Sequence, residues 1–346
     1  MQQPGEGAAR LDRSSNGAAH GRPGSRLQRG LALAGVAIIV ALVAFLAWPL
    51  ETEDLASRPQ PAAGYADAVA RVQRLQATDG AKVNPLCATR LLTHGTKVAR
   101  SVVLFQGYTD CVAQWGEFAR LLYDAGYNVL VPRAPHHGLV DDSSDELGQL
   151  TAVELVRLAD EATDIAHGLG DHVGVLGFSM GGVMAGLVAQ ERPDVDRVVV
   201  IAPGFVLGGI PPIAAAQVAK ALLLAPNVMF CRGACATPDP PYAFPRHATR
   251  AIAAILQLGA VVRDQAETRA PAAGSVVLVT NANDSEVDNG VALEVAAAWR
   301  QRAPGRVDTY EFPRDLGLIH DVVDPVQQGS RTDVVYPVLL RLLQAG

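Results

Sequence analysis

A serine stands among glycines in the stretch "VGVLGFSMGGVMAGLVAQ", residues 173–190. The β-branched run before it predicts a buried strand, and the Ala-rich run after it predicts a helix. Few residues remain for a turn, so we expect Ser179 in a sharp elbow, with Gly177 and Gly181 where a Cβ would collide. A serine held this way is suited to nucleophilic attack on an acyl carbonyl. The alternative is a Gly-rich turn in which Ser179 caps the helix.

Such a serine needs a base and a group that orients the base. In an open α/β sheet these groups gather at the carboxyl ends of strands. Asp284 follows the predicted strand "SVVLVT", and His320 lies between the last predicted strand and the last helix. The chain order Ser, Asp, His is also the order found with this kind of elbow. The alternatives are a turn or capping role for Asp284 and a structural or exposed place for His320.

The attacked carbonyl also needs an oxyanion hole of two backbone N–H donors. Met180 follows the serine and is expected to supply one. Tyr108 is expected to supply the other, because it follows the predicted strand "SVVLFQG" and Gly107 lets the backbone turn there. His136 and His137 also follow a strand end and are candidates for lining the pocket.

Strand and helix patterns alternate along most of the chain. This alternation predicts an α/β fold with a mostly parallel central sheet and helices on both faces. Thr151 and Glu154 predict a capping box at one helix, and Asp288 is expected to cap another. The strands in "LCATRLL" and "SVVLFQG" are expected to pair as a hairpin. A Pro-rich, apolar interruption at about 203–270 is interpreted as an inserted cap.

The N-terminal segments are expected to attach the protein to a membrane. Residues 1–29 form a basic tail predicted to be disordered, and residues 30–50 carry no charge over a length that spans a bilayer. The arginines before this run place the N-terminus inside and the rest outside. Residues 51–64 are interpreted as a linker, followed by the main domain at 65–346. A cleaved signal peptide is the alternative, and a buried core helix is a weaker one.

Composition and charge argue against some classes of function for this protein. The chain has 346 residues, of which 49% are hydrophobic and 18% charged, enough for one large domain with a full core. The net charge is -6, and the first thirty residues are basic, so the remainder is acidic. An acidic body argues against nucleic acid as a partner. The sequence shows no Rossmann-type glycine pattern and no cluster of metal ligands, so no cofactor is predicted, and nothing in it indicates a protein partner.

Four cysteines occur at Cys87, Cys111, Cys231 and Cys235. Outside the cytoplasm an even set of cysteines is consistent with disulfides. Four cysteines allow three pairings, and the sequence does not choose among them. Zinc binding and free buried thiols are the alternatives.

The motifs taken together resemble the α/β-hydrolase family, of the carboxylesterase and monoacylglycerol-lipase type. The matching stretches are "FQGYTDCVAQW", "GYNVLVPRAPHHGL", "GFSMGG", "NDSEV" and "IHD", in family order, over about residues 85–345. The resemblance implies Ser179, Asp284 and His320 as a catalytic triad, with Tyr108 and Met180 as oxyanion donors. Two departures stand out: Gln106 replaces the histidine with which the oxyanion loop usually begins, and "PHHG" stands where relatives often have Gly-His-Gly.

The expected function is therefore that of a membrane-anchored, extracytoplasmic serine hydrolase of carboxylic esters. The enrichment of the chain in Ala, Arg, Gly and Val predicts a bacterial source. The apolar cap and the membrane segment favour acyl chains or lipid-like esters as substrates. An acyltransferase, a thioesterase or an amidase would use the same residues. From other classes, a non-catalytic binding module would keep the fold without the chemistry. A structural or scaffold protein at the membrane would explain the anchor but not the elbow.

Overall fold

An N-terminal helix precedes a large α/β unit in the computed structural model, which describes residues 24–231 and 240–345. The N-terminal unit ends at Pro49 and contains α1 (Gly24–Ala47). Among the described helices, α1 alone has the length and apolar composition needed to cross a membrane, a test that a signal sequence also passes. It begins within the predicted tail, the rest of which lies outside the described residues.

A seven-stranded sheet forms the centre of the large unit, which begins at Leu50. The described strands of the chain, including two that lie outside this sheet, are β1 (Arg90–Leu92), β2 (Val98–Phe105), β3 (Tyr127–Val131), β4 (Gly170–Phe178), β5 (Arg197–Ile201), β6 (Met229–Phe230), β7 (His247–Ala248), β8 (Ser275–Asn281) and β9 (Val307–Phe312). The sheet order is β1-β3-β2-β4-β5-β8-β9, while β6 and β7 pair separately. Every pair in the large sheet except β1 with β3 is parallel. The predicted mostly parallel sheet is confirmed.

The hairpin predicted between the first two strands is wrong. β1 pairs antiparallel with β3, with Arg90 opposite Val131, while β2 lies between β3 and β4. The sequence between β1 and β2 is turn-like, but a turn does not determine which strand lies alongside β1. The longer apolar β2 takes an interior position with parallel neighbours on both sides.

Helices cover both faces of the sheet, as predicted. The described helices of the large unit are α2 (Tyr65–Asp79), α3 (Gly116–Asp124), α4 (Ala152–Leu169), α5 (Met180–Glu191), α6 (Ala215–Leu224), α7 (Thr249–Thr268), α8 (Asn289–Arg302) and α9 (Thr332–Gln344). Val198 and Val200 of β5 join the core cluster with α4, α5, α7 and α8, whereas Val199 and Ile201 join the cluster with α3 and α9. This alternation reflects the two-residue period of a strand. The predicted Thr151–Glu154 capping box is present at α4.

The insertion after β5 has two parts. Its first part carries α6 and the β6–β7 pair, and its second part is α7. α7 contacts α5, α6 and α8, and buries residues such as Ile255 and Val262 in the main core. The last third of the predicted cap is therefore a helix of the sheet-covering layer.

The stretch 51–64 has no helix or strand, yet its backbone is fixed to the large unit. The Arg58 N–H donates to Asp160 Oδ2 at 2.7 Å, and the Gln60 N–H donates to Asp164 Oδ2 at 2.8 Å. Both acceptors lie on α4. The segment interpreted as a linker is thus held along this helix by carboxylates that accept its amide protons.

The same carboxylates surround a fully buried arginine. Arg192 follows α5, has no exposed surface, and lies 2.7 Å from Asp164, 2.8 Å from Asp194 and 3.4 Å from Asp160. A guanidinium out of water needs such partners, since an unpaired buried charge is strongly unfavourable. Arg192 therefore joins α4 to the end of α5 and, through the shared carboxylates, to the segment 51–64.

A disulfide joins Cys87 to Cys111, one of the pairings that the sequence left open. It ties the short turn before β1 to the loop after β2. Cys231 is also disulfide-bonded, and Cys235 lies outside the described residues.

We expect Arg192→Met to lower the free energy of unfolding by about 3–5 kcal/mol, because it leaves Asp160 and Asp164 buried without their cation. Chemical denaturation of the full chain in mild detergent measures the change. Arg120→Met is the control, since the Arg120–Asp124 pair is exposed and contributes little. Equal effects of the two substitutions would contradict the role given to Arg192.

Candidate active site

Ser179 is the single residue between β4 and α5. Its φ of 56° and ψ of -112° are strained values for a residue with a side chain. A Cβ on Gly177 would lie 1.9 Å from the Gly181 carbonyl oxygen, and one on Gly181 would lie 2.2 Å from the Phe105 carbonyl oxygen. Both positions require glycine because strand and helix backbones approach too closely for any side chain.

Backbone hydrogen bonds hold this strained residue in place. The Ser179 N–H donates to the Ile201 carbonyl at 3.0 Å. The Ser179 carbonyl accepts from the N–H groups of Val183 and Gly204, each at 3.1 Å. Strand β5 therefore holds the Ser179 N–H, and the loop after β5 holds the Ser179 carbonyl.

The three residues selected from the sequence lie in one chain of contacts. His320 Nε2 is 3.0 Å from Ser179 Oγ, and His320 Nδ1 is 2.6 Å from Asp284 Oδ2. The Asp284 side chain is fully buried, whereas the His320 side chain keeps 21% of its surface exposed. The imidazole ring packs on the Phe178 ring, with centroids 4.9 Å apart. This arrangement can pass the serine proton to a ring whose other nitrogen faces a carboxylate.

The loop after β8 orients Asp284. Its other oxygen, Oδ1, accepts from the Glu286 N–H at 2.9 Å. Asp288 then accepts from the Val291 N–H and caps α8, as predicted. Asp284 thus faces His320, while Asp288 caps the start of α8.

A cavity of about 560 Å³ opens beside Ser179 and His320. Tyr108 and Met180, the residues selected as oxyanion donors, also line it. The Gly181 N–H donates to the Gln106 carbonyl at 3.0 Å, which ties the start of α5 to the loop after β2. The remaining wall is mixed, with apolar side chains such as Leu207, Phe244, Ile252, Ile255 and Val287 beside Thr109, Gln327 and Gln328.

Gln106, at the position where the resemblance leads us to expect a histidine, supports the loop that it begins. Its side chain is buried; Nε2 donates to the Asp110 carbonyl at 2.6 Å, and Oε1 accepts from the Ala134 N–H at 3.3 Å. The amide therefore spans the loop after β2 and the segment after β3.

The insertion holds the same loop from outside. The Tyr108 hydroxyl accepts from the Ala248 N–H at 2.7 Å, and the Phe244 N–H donates to the Thr109 carbonyl at 2.6 Å. Thr109 has a φ of 67°, so the loop takes a strained conformation at this point. The contacts with the insertion help to stabilise that conformation.

Sequence reasoning missed a buried group of carboxyls beside the serine and histidine. Oxygens of Asp110, Asp321 and Asp324 lie within 4.8 Å of one another. Burial, followed by the charges of Asp321 and Asp324, raises the pKa of Asp110 well above its usual value. The Tyr242 hydroxyl donates to Asp324 at 2.9 Å, and burial together with that carboxylate raises the pKa of Tyr242. The sequence signal for this group was the position of Asp321 directly after His320 and of Asp110 two residues after Tyr108.

The other two candidate histidines do not line the cavity. His136 Nε2 lies 3.1 Å from a Glu154 oxygen. His137 is fully buried, its Nδ1 donates to the Pro135 carbonyl at 2.8 Å, and its ring meets the Tyr108 ring edge-on at 6.0 Å. Burial lowers the pKa of His137 to about 4. This residue supports the loop after β3 in its neutral form.

Residues 91–326 match the alpha/beta hydrolase family. No curated protein matches the sequence.

Solved structures resemble this chain in fold at low identity. The metagenome-derived lipolytic enzymes LipS and LipT are represented by a chain of 16% identity and TM-score 0.58, with 77% of this chain and 100% of that chain covered. The Paleococcus ferrophilus monoacylglycerol lipase has 18% identity and TM-score 0.56, with coverages of 74% and 97%. A soluble variant of the Saccharomyces cerevisiae monoglyceride lipase, in complex with a substrate analog, has 15% identity and TM-score 0.58, with coverages of 75% and 91%.

Stability should fall as pH falls because of His137. The group is neutral in the folded state down to about pH 4, whereas it protonates near pH 6.5 when unfolded. Its contribution to the free energy of unfolding is therefore complete above pH 6.5 and is lost as pH approaches 4, by up to about 3 kcal/mol.

Urea denaturation between pH 7.5 and 4.5 should show a flatter dependence of the free energy of unfolding on pH for His137→Asn than for the parent. His172→Asn, at an exposed histidine, should keep the parent profile; a pH-independent difference between parent and His137→Asn would contradict the expectation.

Proposed function

The chain belongs to the alpha/beta hydrolase family, and on that premise we propose that it hydrolyses carboxylic esters with Ser179 as the nucleophile. The observation that carries this proposal is the contact chain from Ser179 Oγ through His320 to Asp284. It lies at the wall of a cavity large enough for a small-molecule ester.

In the first half-reaction His320 Nε2 takes the hydroxyl proton as Ser179 Oγ bonds to the ester carbonyl carbon. Asp284 accepts the hydrogen bond from Nδ1 and stabilises the imidazolium that forms. Collapse of the tetrahedral species breaks the ester C–O bond, and the leaving alcohol takes the proton from Nε2. Water, activated by the same nitrogen, then cleaves the acyl-serine and releases the carboxylic acid.

The backbone N–H groups of Tyr108 and Met180 are proposed to bind the oxyanion. Met180 is the first residue of α5, so its N–H belongs to the positive end of the helix dipole. Tyr108 is held through its hydroxyl, which supports a fixed position for its backbone. Fixed donors favour the transition state because no reorganisation is needed as charge develops.

The substrate is proposed to carry an acyl chain. Apolar side chains from both parts of the insertion, Phe244 from the first and Ile252 and Ile255 from α7, form part of the cavity wall beside Ser179. The monoacylglycerol and monoglyceride lipases that share the fold support the same class, as an analogy.

α1 is proposed to anchor the protein in a membrane, with residues 51–346 outside. The apolar window Gly30–Ala47 and the arginines that precede it support this orientation. A cleaved signal sequence remains the alternative.

The full chain in mild detergent should hydrolyse p-nitrophenyl esters from acetate to palmitate, and Ser179→Ala should abolish turnover. Asp284→Asn should lower kcat by about 10⁴, because the amide no longer stabilises the imidazolium. Asp288→Asn is the matched control, since asparagine also caps a helix and the residue is outside the contact chain. The chain-length profile would define the acyl pocket.

Two results separate the alternatives. A folded chain that neither turns over esters nor reacts with a serine-directed phosphonate would overturn the hydrolase proposal in favour of a binding role. Transfer of the acyl group to an added alcohol in preference to water would indicate an acyltransferase.

Membrane fractionation tests the anchor. The full chain should stay in the membrane after a carbonate wash, and external protease should reach residues 51–346. A chain lacking residues 1–49 should be soluble and retain its turnover, because the large unit begins at Leu50. A mature N-terminus beyond residue 47 would show that α1 is a cleaved signal instead.

A further inference from the structure

One side chain bridges the two loops that flank the proposed chemistry. The Gly107 N–H donates to Gln114 Oε1 at 2.8 Å, and Gln114 Nε2 donates to Asp321 Oδ2 at 2.6 Å. Gly107 directly precedes the proposed oxyanion donor Tyr108, and Asp321 directly follows His320. Only 1% of Gln114 is exposed, so water competes little with these bonds.

Both ends of the bridge are fixed by other contacts. The Gln114 N–H donates to the Cys111 carbonyl at 3.0 Å, and Cys111 is tied by its disulfide to Cys87. At the other end, Asp321 Oδ1 accepts from the N–H groups of Val323 and Asp324, each at 3.0 Å. Gln114 therefore connects a turn that is held by the disulfide to a loop that is held by the Asp321 carboxylate.

The space around the bridge leaves little freedom. A Cβ on Gly107 would lie 3.0 Å from the Phe178 ring and 3.3 Å from Gln114 Nε2. The Phe178 ring in turn packs on the His320 ring. A shift of the Gln114 amide would therefore move the oxyanion loop relative to the imidazole.

The chemistry of the bridge calls for a primary amide. The Gly107 N–H needs an acceptor, and the Asp321 carboxylate needs a donor. A glutamine supplies both from one planar group, whereas an ionised glutamate supplies only the acceptor and a methionine supplies neither. The neighbouring titratable groups are Asp110, Asp321, Asp324, Tyr242 and His320.

We propose that Gln114 is a positioning residue that sets the oxyanion donors at the correct distance from His320. This role rests on the proposed function, since it concerns the same reaction. It acts on the transition state more than on substrate binding, because it aligns groups that meet the developing charge and the transferred proton.

The test compares Gln114→Met and Gln114→Glu with the parent in ester hydrolysis, with kcat expressed per phosphonate-reactive serine so that misfolded protein does not count. Gln114→Met should lower kcat by about 10–100-fold and leave KM within about threefold, as expected for a small misalignment of reacting groups.

Gln190→Met is the matched control. Gln190 is also buried and hydrogen-bonded at both ends, to Trp299 and Ala270, but does not line the cavity, so its kcat should stay within about threefold of the parent.

Gln114→Glu adds a second measurement, the pH dependence of kcat, which a simple loss of packing would not change. Once protonated, the glutamic acid can donate to Asp321 and accept from Gly107, as glutamine does. The ratio of its kcat to that of the parent should therefore rise about tenfold or more between pH 8.5 and pH 6. A carboxylate that merely raised the pKa of His320 would move the ratio in the opposite direction.

The outcomes are separable. A parent chain that hydrolyses esters, with Gln114→Met no slower than Gln190→Met, overturns the positioning role alone. A ratio for Gln114→Glu that stays flat or falls toward pH 6 also overturns it. A parent chain without turnover removes the proposed function and the positioning role together.

Discussion

The turn at Ser179, a single residue long, is the constraint on which the site depends. Because β4 passes directly into α5, the helix start lies against the end of β2, close enough that Gly181 has no room for a Cβ. The same approach lets the Gly181 N–H donate to the Gln106 carbonyl. Backbone contacts thereby fix Ser179 relative to the loop after β2, before any side chain contributes.

Strand order brings the remaining groups to this point. β8 lies beyond β5, and β9 lies beyond β8, so the loops after these strands reach Ser179 from one side while the loop after β2 reaches it from the other. Buried amides then cross-link the loops: Gln106 joins the segments after β2 and β3, and Gln114 joins the segments after β2 and β9. Buried polar groups are costly unless paired, so these bonds favour one arrangement of the loops over its alternatives.

Ion pairs of a buried arginine connect three segments at the other end of α5. Ser179 precedes this 12-residue helix and Arg192 follows it, so the two residues lie about 20 Å apart along the axis. The ion pairs of Arg192 join α4, α5 and the stretch 51–64. The strained backbone at Ser179 and the ion pairs of Arg192 thus lie at opposite ends of α5, and a strained residue persists only where the surrounding structure holds it.

Local sequence determined the alternation of strands and helices, the elbow glycines, the capping residues Thr151 and Asp288, and Ser179, Asp284 and His320 as candidates. These follow from periodicity, from steric demands at one turn, and from the rule that loops after parallel strands share an edge. The partner of β1, the packing of α7 on the core, and the contacts of Gln114 were decided only by the tertiary structure. Each depends on which distant segments become neighbours: Gln114 and Asp321 are 207 positions apart, and nothing in the short stretch around Gln114 indicates that its amide meets the loop of the histidine.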